Sequence, residues 1–171
     1  MAAGAEYDPI PPILALADAT VDFVVIGGIA GQLHGSARLT FDVDVAYERS
    51  DANLEKLASV LRSLDAHLRG APRDVPFQLD ARSLKAGGNF TFETHYGSVD
   101  ILAFPAGAPP YEKLRSDAIV GDVRGRRVLY ASIDHLIAMK EAAARPKDKS
   151  DAMELKALAD EIRRREAEGK R

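Results

Sequence analysis

Two aspartates one residue apart, Asp42 and Asp44, stand in the run Thr40-Phe-Asp-Val-Asp-Val45. The run alternates apolar and acidic residues, which predicts a strand over residues 41–46. Successive strand side chains face opposite ways. Asp42 and Asp44 then share one face, while Phe41, Val43 and Val45 share the other and suit a core. Two carboxylates this close repel each other, and at least one pKa rises unless something compensates. A divalent cation removes the conflict. Mg²⁺, or Mn²⁺ in its place, takes oxygen ligands from a few carboxylates and leaves positions for water and phosphate. A third acid, Asp100, lies in Ser98-Val-Asp-Ile-Leu102, between β-branched neighbours. If the two strands are adjacent, three carboxylates converge. Such a triad can hold two ions a few ångströms apart and support in-line displacement at phosphorus. Taken alone, the Asp42/Asp44 strand is equally a solvated sheet face, and Asp100 alone reads as structural.

The residues ahead of the pair add weight. Gly27-Gly28 follows an apolar run and precedes a short helical stretch. Glycines there let backbone N–H groups approach a ligand, and a helix N-terminus adds partial positive charge, so the turn suits phosphate. Thirteen residues separate Gly28 from Asp42, enough for one short helix and a return to an adjacent strand. Arg38 and Thr40 sit just before the acids; Arg38 suits a two-pronged bond to phosphate or an ordinary surface position.

These residues need elements to hold them. Pro11 and Pro12 lead into a predicted helix over 13–19. Residues 23–26 form a continuous apolar run and read as a buried strand, and 29–34 suit a short helix closed by Gly35. Ser50 suits an N-cap. The helix it opens carries Leu54, Leu57, Leu61, Leu64 and Leu68 at spacings of three and four. Residues 69–88 read as loop with one turn of helix. Strands over 90–94 and 99–104 are joined at Tyr96-Gly97, and a second hairpin over 119–130 turns at Arg124-Gly125. Ser132 caps a helix to about residue 144. Pro146 interrupts, and a final helix runs from about residue 150. Strands and helices alternate early and hairpins follow, which predicts an α+β fold: a mixed sheet with helices mainly on one side. A single domain spans 1–171, with its core over about 22–130 and a helical part over about 131–171.

The chain has 171 residues, 46% of them apolar and 29% charged, which fits one globular domain. It contains no cysteine. That excludes a disulfide scaffold, a zinc ribbon and a thiol nucleophile, and fits a reducing cytoplasm. A net charge of −3 makes non-specific duplex binding a poor fit. Residues 1–12 show no secretory signal, and the longest uncharged run, 23–37, is too short and polar to span a membrane. Val25-Ile-Gly-Gly-Ile-Ala-Gly31 lacks the G-x-G-x-x-G spacing of a dinucleotide site, and no phosphate-loop Gly-Lys-Ser/Thr is present. His34, His67, His95 and His135 have no metal-ligand spacing; His34 alone lies near the proposed cleft.

Gly27-Gly28, then Arg38-Leu-Thr-Phe-Asp-Val-Asp44, then Val99-Asp100-Ile101 resemble the nucleotidyltransferase superfamily that includes DNA polymerase beta. The second position of the glycine motif is Gly28 rather than Ser, which the family permits but which removes a hydroxyl from the phosphate site. Leu136-Ile-Ala-Met-Lys140, followed by Arg145-Pro-Lys-Asp148 and Asp151, is similar to the C-terminal signature of the abortive-infection (AbiEii-like) branch. The likeness covers about residues 22–160. It implies a metal role for Asp42, Asp44 and Asp100. It also implies active-site roles for Lys140, Lys147, Asp148 and Asp151, beside nucleotide contacts from Gly27, Gly28, Arg38 and Thr40. The implied activity is Mg²⁺-dependent transfer of a nucleoside monophosphate from a triphosphate to a hydroxyl. Transfer RNA is the acceptor in this branch's toxins, which implies a cognate antitoxin; a small molecule such as an antibiotic is the alternative acceptor, and a nucleotide- or partner-binding domain without turnover is the non-enzymatic one. Lys140 also has a physical argument of its own. It lies on or beside the apolar stripe of Ile133, Leu136 and Ile137, and lysine is seldom buried without a partner.

Overall fold

The computed structural model describes residues 7–170; the reading of residues 1–12 lies partly outside them. Seven strands form one mixed sheet, ordered β3-β4-β5-β2-β1-β7-β6. Its centre is made by β1 (Phe23–Ile26), β2 (Asp42–Tyr47) and β5 (Gly97–Leu102). β1 and β2 run antiparallel, while β2 and β5 run parallel. On one side β4 (Asn89–Thr94) and the two-residue β3 (His67–Leu68) extend the sheet. On the other, β7 (Arg126–Tyr130) pairs in parallel with β1, and β6 (Ile119–Val123) forms a hairpin with β7. Arg124 and Gly125 both have positive φ at that turn, the hand that suits a right-twisted hairpin.

Burial follows position in the sheet. All four residues of β1 are buried, so the centre is covered on both faces. β4 alternates instead: Phe92 and Thr94 face inward while Asn89, Thr91 and Glu93 are exposed. The core joins Val25, Val43, Val45, Val99 and Ile101 to Ile13 and Leu16 of α1 (Ile10–Asp18) and Leu54, Leu57 and Leu61 of α3 (Asp51–Ser63). The Ser50 side chain accepts from Asn53 N and caps α3, as the sequence predicts.

Several boundaries differ from the sequence reading. α3 ends at Ser63, and Leu68 belongs to β3 rather than to the helix stripe. Asp65, with φ +52, turns the chain between them. The 69–88 stretch does contain one short helix, α4 (Ala81–Ala86), capped by Asp80. A further short helix, α5 (Tyr111–Ser116), starts after Pro110, where the sequence marks only a break. α2 (Gly27–Leu33) begins at the first glycine. Phe41 lies outside β2 and is 69% exposed, so only Val43 and Val45 carry the apolar face into the core. α6 (Ile133–Ala143) matches its expected span. α7 (Pro146–Gly169) begins four residues earlier than expected, because Pro146 fills its first turn instead of breaking it.

Candidate active site

The acids meet because of register. Asp42 pairs with Ser98, and Asp44 with Asp100, across the parallel β2–β5 ladder. Paired residues project to the same face. One carboxylate oxygen from each of Asp42, Asp44 and Asp100 lies within 4.8 Å of the others.

The glycines explain how the acids fit. Gly27 has φ +66, a conformation L side chains rarely adopt. A Cβ there would fall 2.1 Å from Asp44 Oδ2, and a Cβ on Gly28 would fall 2.7 Å from Thr40 Cβ. The turn from β1 to α2 is therefore glycine so that Asp44 and Thr40 can lie against it. Thr40 Oγ1 donates to Asp42 Oδ1 at 2.8 Å and orients that carboxylate. Tyr7 OH donates to the Asp42 backbone carbonyl at 3.2 Å.

Crowding shows in the acidities. Burial first, then Asp42 and Asp100, push the Asp44 carboxyl up to about 7, against the opposing pull of Lys140 and Arg69. Burial also raises Asp100, although Arg69 Nη2 sits 2.6 Å from its Oδ1. Burial and the same acidic strand push the Tyr7 hydroxyl up to about 12.

A basic wall faces the triad from α6 and α7. Lys140 Nζ lies 3.2 Å from Asp148 Oδ1 and 3.1 Å from Asp151 Oδ2. Asp148 is fully buried and also takes Arg145 Nε at 2.6 Å. Arg145 and then Lys140 hold its carboxyl below the usual range despite burial. Arg38 is committed to α7: it donates to Glu154 at 2.8 Å and to Ser150 at 2.6 Å. Its Nη1 also lies 2.8 Å from Asp151 Oδ1, out of line for a hydrogen bond, so that contact is an ion pair only.

Of the residues singled out by sequence, Gly27, Gly28, Arg38, Thr40, Asp42, Asp44, Asp100, Lys140, Lys147 and Asp151 line one cleft. Asp148 stands behind its wall. Lys147 belongs to the first turn of α7 rather than to a charged loop. Arg145 and Glu154 also line the cleft, and the sequence reading gave them no place there. Nor did it find Tyr7 or Arg69, which reach the acids only through tertiary pairing. His34 Nε2 donates to the Ala131 carbonyl at 2.9 Å, a structural bond.

The residues present fit a divalent cation. Three oxygen ligands converge, their mutual repulsion is only partly offset by lysine and arginine, and the donor set is all-carboxylate, which suits Mg²⁺ or Mn²⁺.

No family model matches the chain, and no curated protein matches it in sequence. Solved structures do. The solution structure of the antibiotic-resistance factor ANT(2'')-Ia aligns with TM-score 0.53 and 16% identity, over 94% of this chain and 92% of that one. The crystal structure of ANT(2")-Ia in complex with adenylyl-2"-tobramycin aligns with TM-score 0.52 and 15% identity, over 90% and 94%. A proposed nucleotidyltransferase from Thermotoga maritima is more distant, with TM-score 0.48 and 11% identity over 99% and 100%. The chain has the nucleotidyltransferase fold. At these identities the likeness is one of fold. Among the described residues, no helix is long and apolar enough to cross a membrane.

Proposed function

We propose that the protein transfers a nucleoside monophosphate from a nucleoside triphosphate to a hydroxyl acceptor. The observation that carries this reading is the convergence of Asp42, Asp44 and Asp100 on the floor of a cleft walled by Lys140, Arg145 and Lys147. Asp42 and Asp44 would hold a divalent cation, with Asp100 as the third ligand. When bound, Mg²⁺ neutralises phosphate charge and polarises the phosphorus–oxygen bond.

The chain's own residues do the rest. The Gly27-Gly28 turn lets the triphosphate approach the backbone at the start of α2. Lys140 and Lys147 offset the negative charge that builds on the leaving pyrophosphate. Lys140 is held for this by Asp148 and Asp151, which fix its ammonium at the edge of the cleft. Asp100, its proton affinity raised by burial, accepts the proton of the attacking hydroxyl. The hydroxyl oxygen bonds to the α-phosphorus, and the bond to the bridging oxygen breaks. Arg38 joins the phosphate contacts on exchanging its α7 partners.

Two acceptors are supported by different observations. The Lys140 and Arg145-Pro-Lys-Asp148 segment resembles branches that modify transfer RNA, with a protein antitoxin as partner. The fold neighbour crystallised with adenylyl-2"-tobramycin supports a small hydroxylated antibiotic. Purified protein with labelled triphosphates and Mg²⁺ is offered total RNA in one arm and aminoglycosides in the other. Label enters one acceptor with wild type and neither with Asp44→Asn. Undiminished transfer by Asp44→Asn refutes the assignment.

A further inference from the structure

The third carboxylate already has a cationic partner. Arg69 Nη2 lies 2.6 Å from Asp100 Oδ1, with side chains 34% and 15% exposed. Sheet register makes the contact. Arg69 N donates to the Thr91 carbonyl at 2.9 Å, which carries the β3–β4 pairing one residue past Leu68. Thr91 pairs with Asp100, and Asp100 with Asp44. Arg69, Thr91, Asp100 and Asp44 thus form a row across four strands on one face. Arg69 is held by its backbone N–H at one end and by the charged hydrogen bond of its guanidinium at the other.

A guanidinium on a carboxylate oxygen uses the lone pairs a metal ion would use, and sets a like charge beside any ion that approaches. Without the guanidinium, Asp100 Oδ1 is freed as a ligand, and a second cation has a carboxylate oxygen to bind.

We propose that Arg69 is the built-in counter-ion of Asp100 and limits the free protein to one divalent cation at the triad. This rests on reading the triad as a cation site, and adds how many ions that site takes before nucleotide arrives. The position is separate from the basic wall of α6 and α7, because Arg69 directly follows β3, an edge strand of the sheet.

The experiment is a Mn²⁺ titration of the full chain without nucleotide, followed by electron paramagnetic resonance of the free ion and by calorimetry. Wild type binds one Mn²⁺ per chain. Arg69→Gln binds two, and its first ion binds about tenfold more tightly, the size expected from losing one charged competitor for a single oxygen. Adding Asp100→Asn to Arg69→Gln returns the count to one. General charge repulsion would shift affinity without adding a site, so the count is the decisive reading. Two ions on wild type overturn the inference even if the variant fails to fold, and so does a single ion on folded Arg69→Gln. If neither wild type nor Arg69→Gln binds Mn²⁺, the cation-site reading itself falls.

Discussion

Replacing Asp44 by Asn is expected to stabilise the fold while abolishing transfer. In the native chain, burial and two neighbouring acids raise the Asp44 carboxyl from the ordinary 3.8 to about 7. The unfolded chain therefore gives up this proton first. Between about pH 4 and pH 7 the native state binds more protons than the unfolded state, so stability falls as pH rises through that window and is level above it. At about 1.4 kcal/mol per tenfold in proton affinity, the full cost reaches roughly 4 kcal/mol. Asparagine has nearly the same shape and carries no charge, so the variant avoids this cost. For a chain of this length the gain corresponds to a melting temperature higher by on the order of 10 °C at pH 8, shrinking to little below pH 4. Thermal melts from pH 4 to 9 in the absence of divalent ions read it directly. Mg²⁺ at pH 8 raises the wild-type melting temperature and leaves that of Asp44→Asn nearly unchanged. A variant no more stable than wild type at pH 8, or a gain that ignores pH, refutes the picture of three crowded and only partly compensated carboxylates.

Other substitutions test the parts that hold the triad. Gly27→Ala combines a left-handed backbone with a Cβ placed 2.1 Å from Asp44 Oδ2. It is expected to cost about 2–4 kcal/mol in urea unfolding and to abolish Mn²⁺ binding, because the carboxylate must move. Asp148→Ala removes a fully buried carboxylate that holds Arg145 and Lys140. It is expected to cost roughly 3 kcal/mol, the lower end for breaking a buried pair, since both cations retain some access to water. Its KM for triphosphate also rises, which steady-state kinetics on the folded fraction measures.

The acidic face was legible in the sequence for a local reason. Strand alternation fixes which residues share a side, so Asp42 and Asp44 come paired, and Val43 and Val45 mark the buried side. Asp100 joins them only if its strand is adjacent, and the β2–β5 pairing supplies that adjacency. The glycine turn is legible from its place between an apolar run and a short helix, though its packing role, making room for Asp44 and Thr40, shows only in the fold. What escaped depends on distant partners or on very short elements. Arg69 lies in a stretch rich in proline and glycine, and its bond to Asp100 exists only once β3, β4 and β5 are assembled. β3 has two residues and α5 has six, too few for either period to appear. Pro146 is ambiguous by nature: the missing N–H that breaks a helix interior suits a first turn.

The position of the acids is set by the apolar residues between them. Val43 pairs with Val99, and Val45 with Ile101, and all four are buried. Sliding β5 by one residue would turn Asp100 into that core and expose Val99 and Ile101. Sliding it by two would keep the faces but unpair one apolar couple and move Asp100 away from Asp44. The hydrophobic register thus forces three like charges together, and neither Lys140 nor Arg69 cancels the conflict at Asp44. A fold that burial drives to assemble an electrostatic penalty at one spot leaves that spot ready for a divalent cation, and the penalty itself becomes part of the affinity when the cation binds.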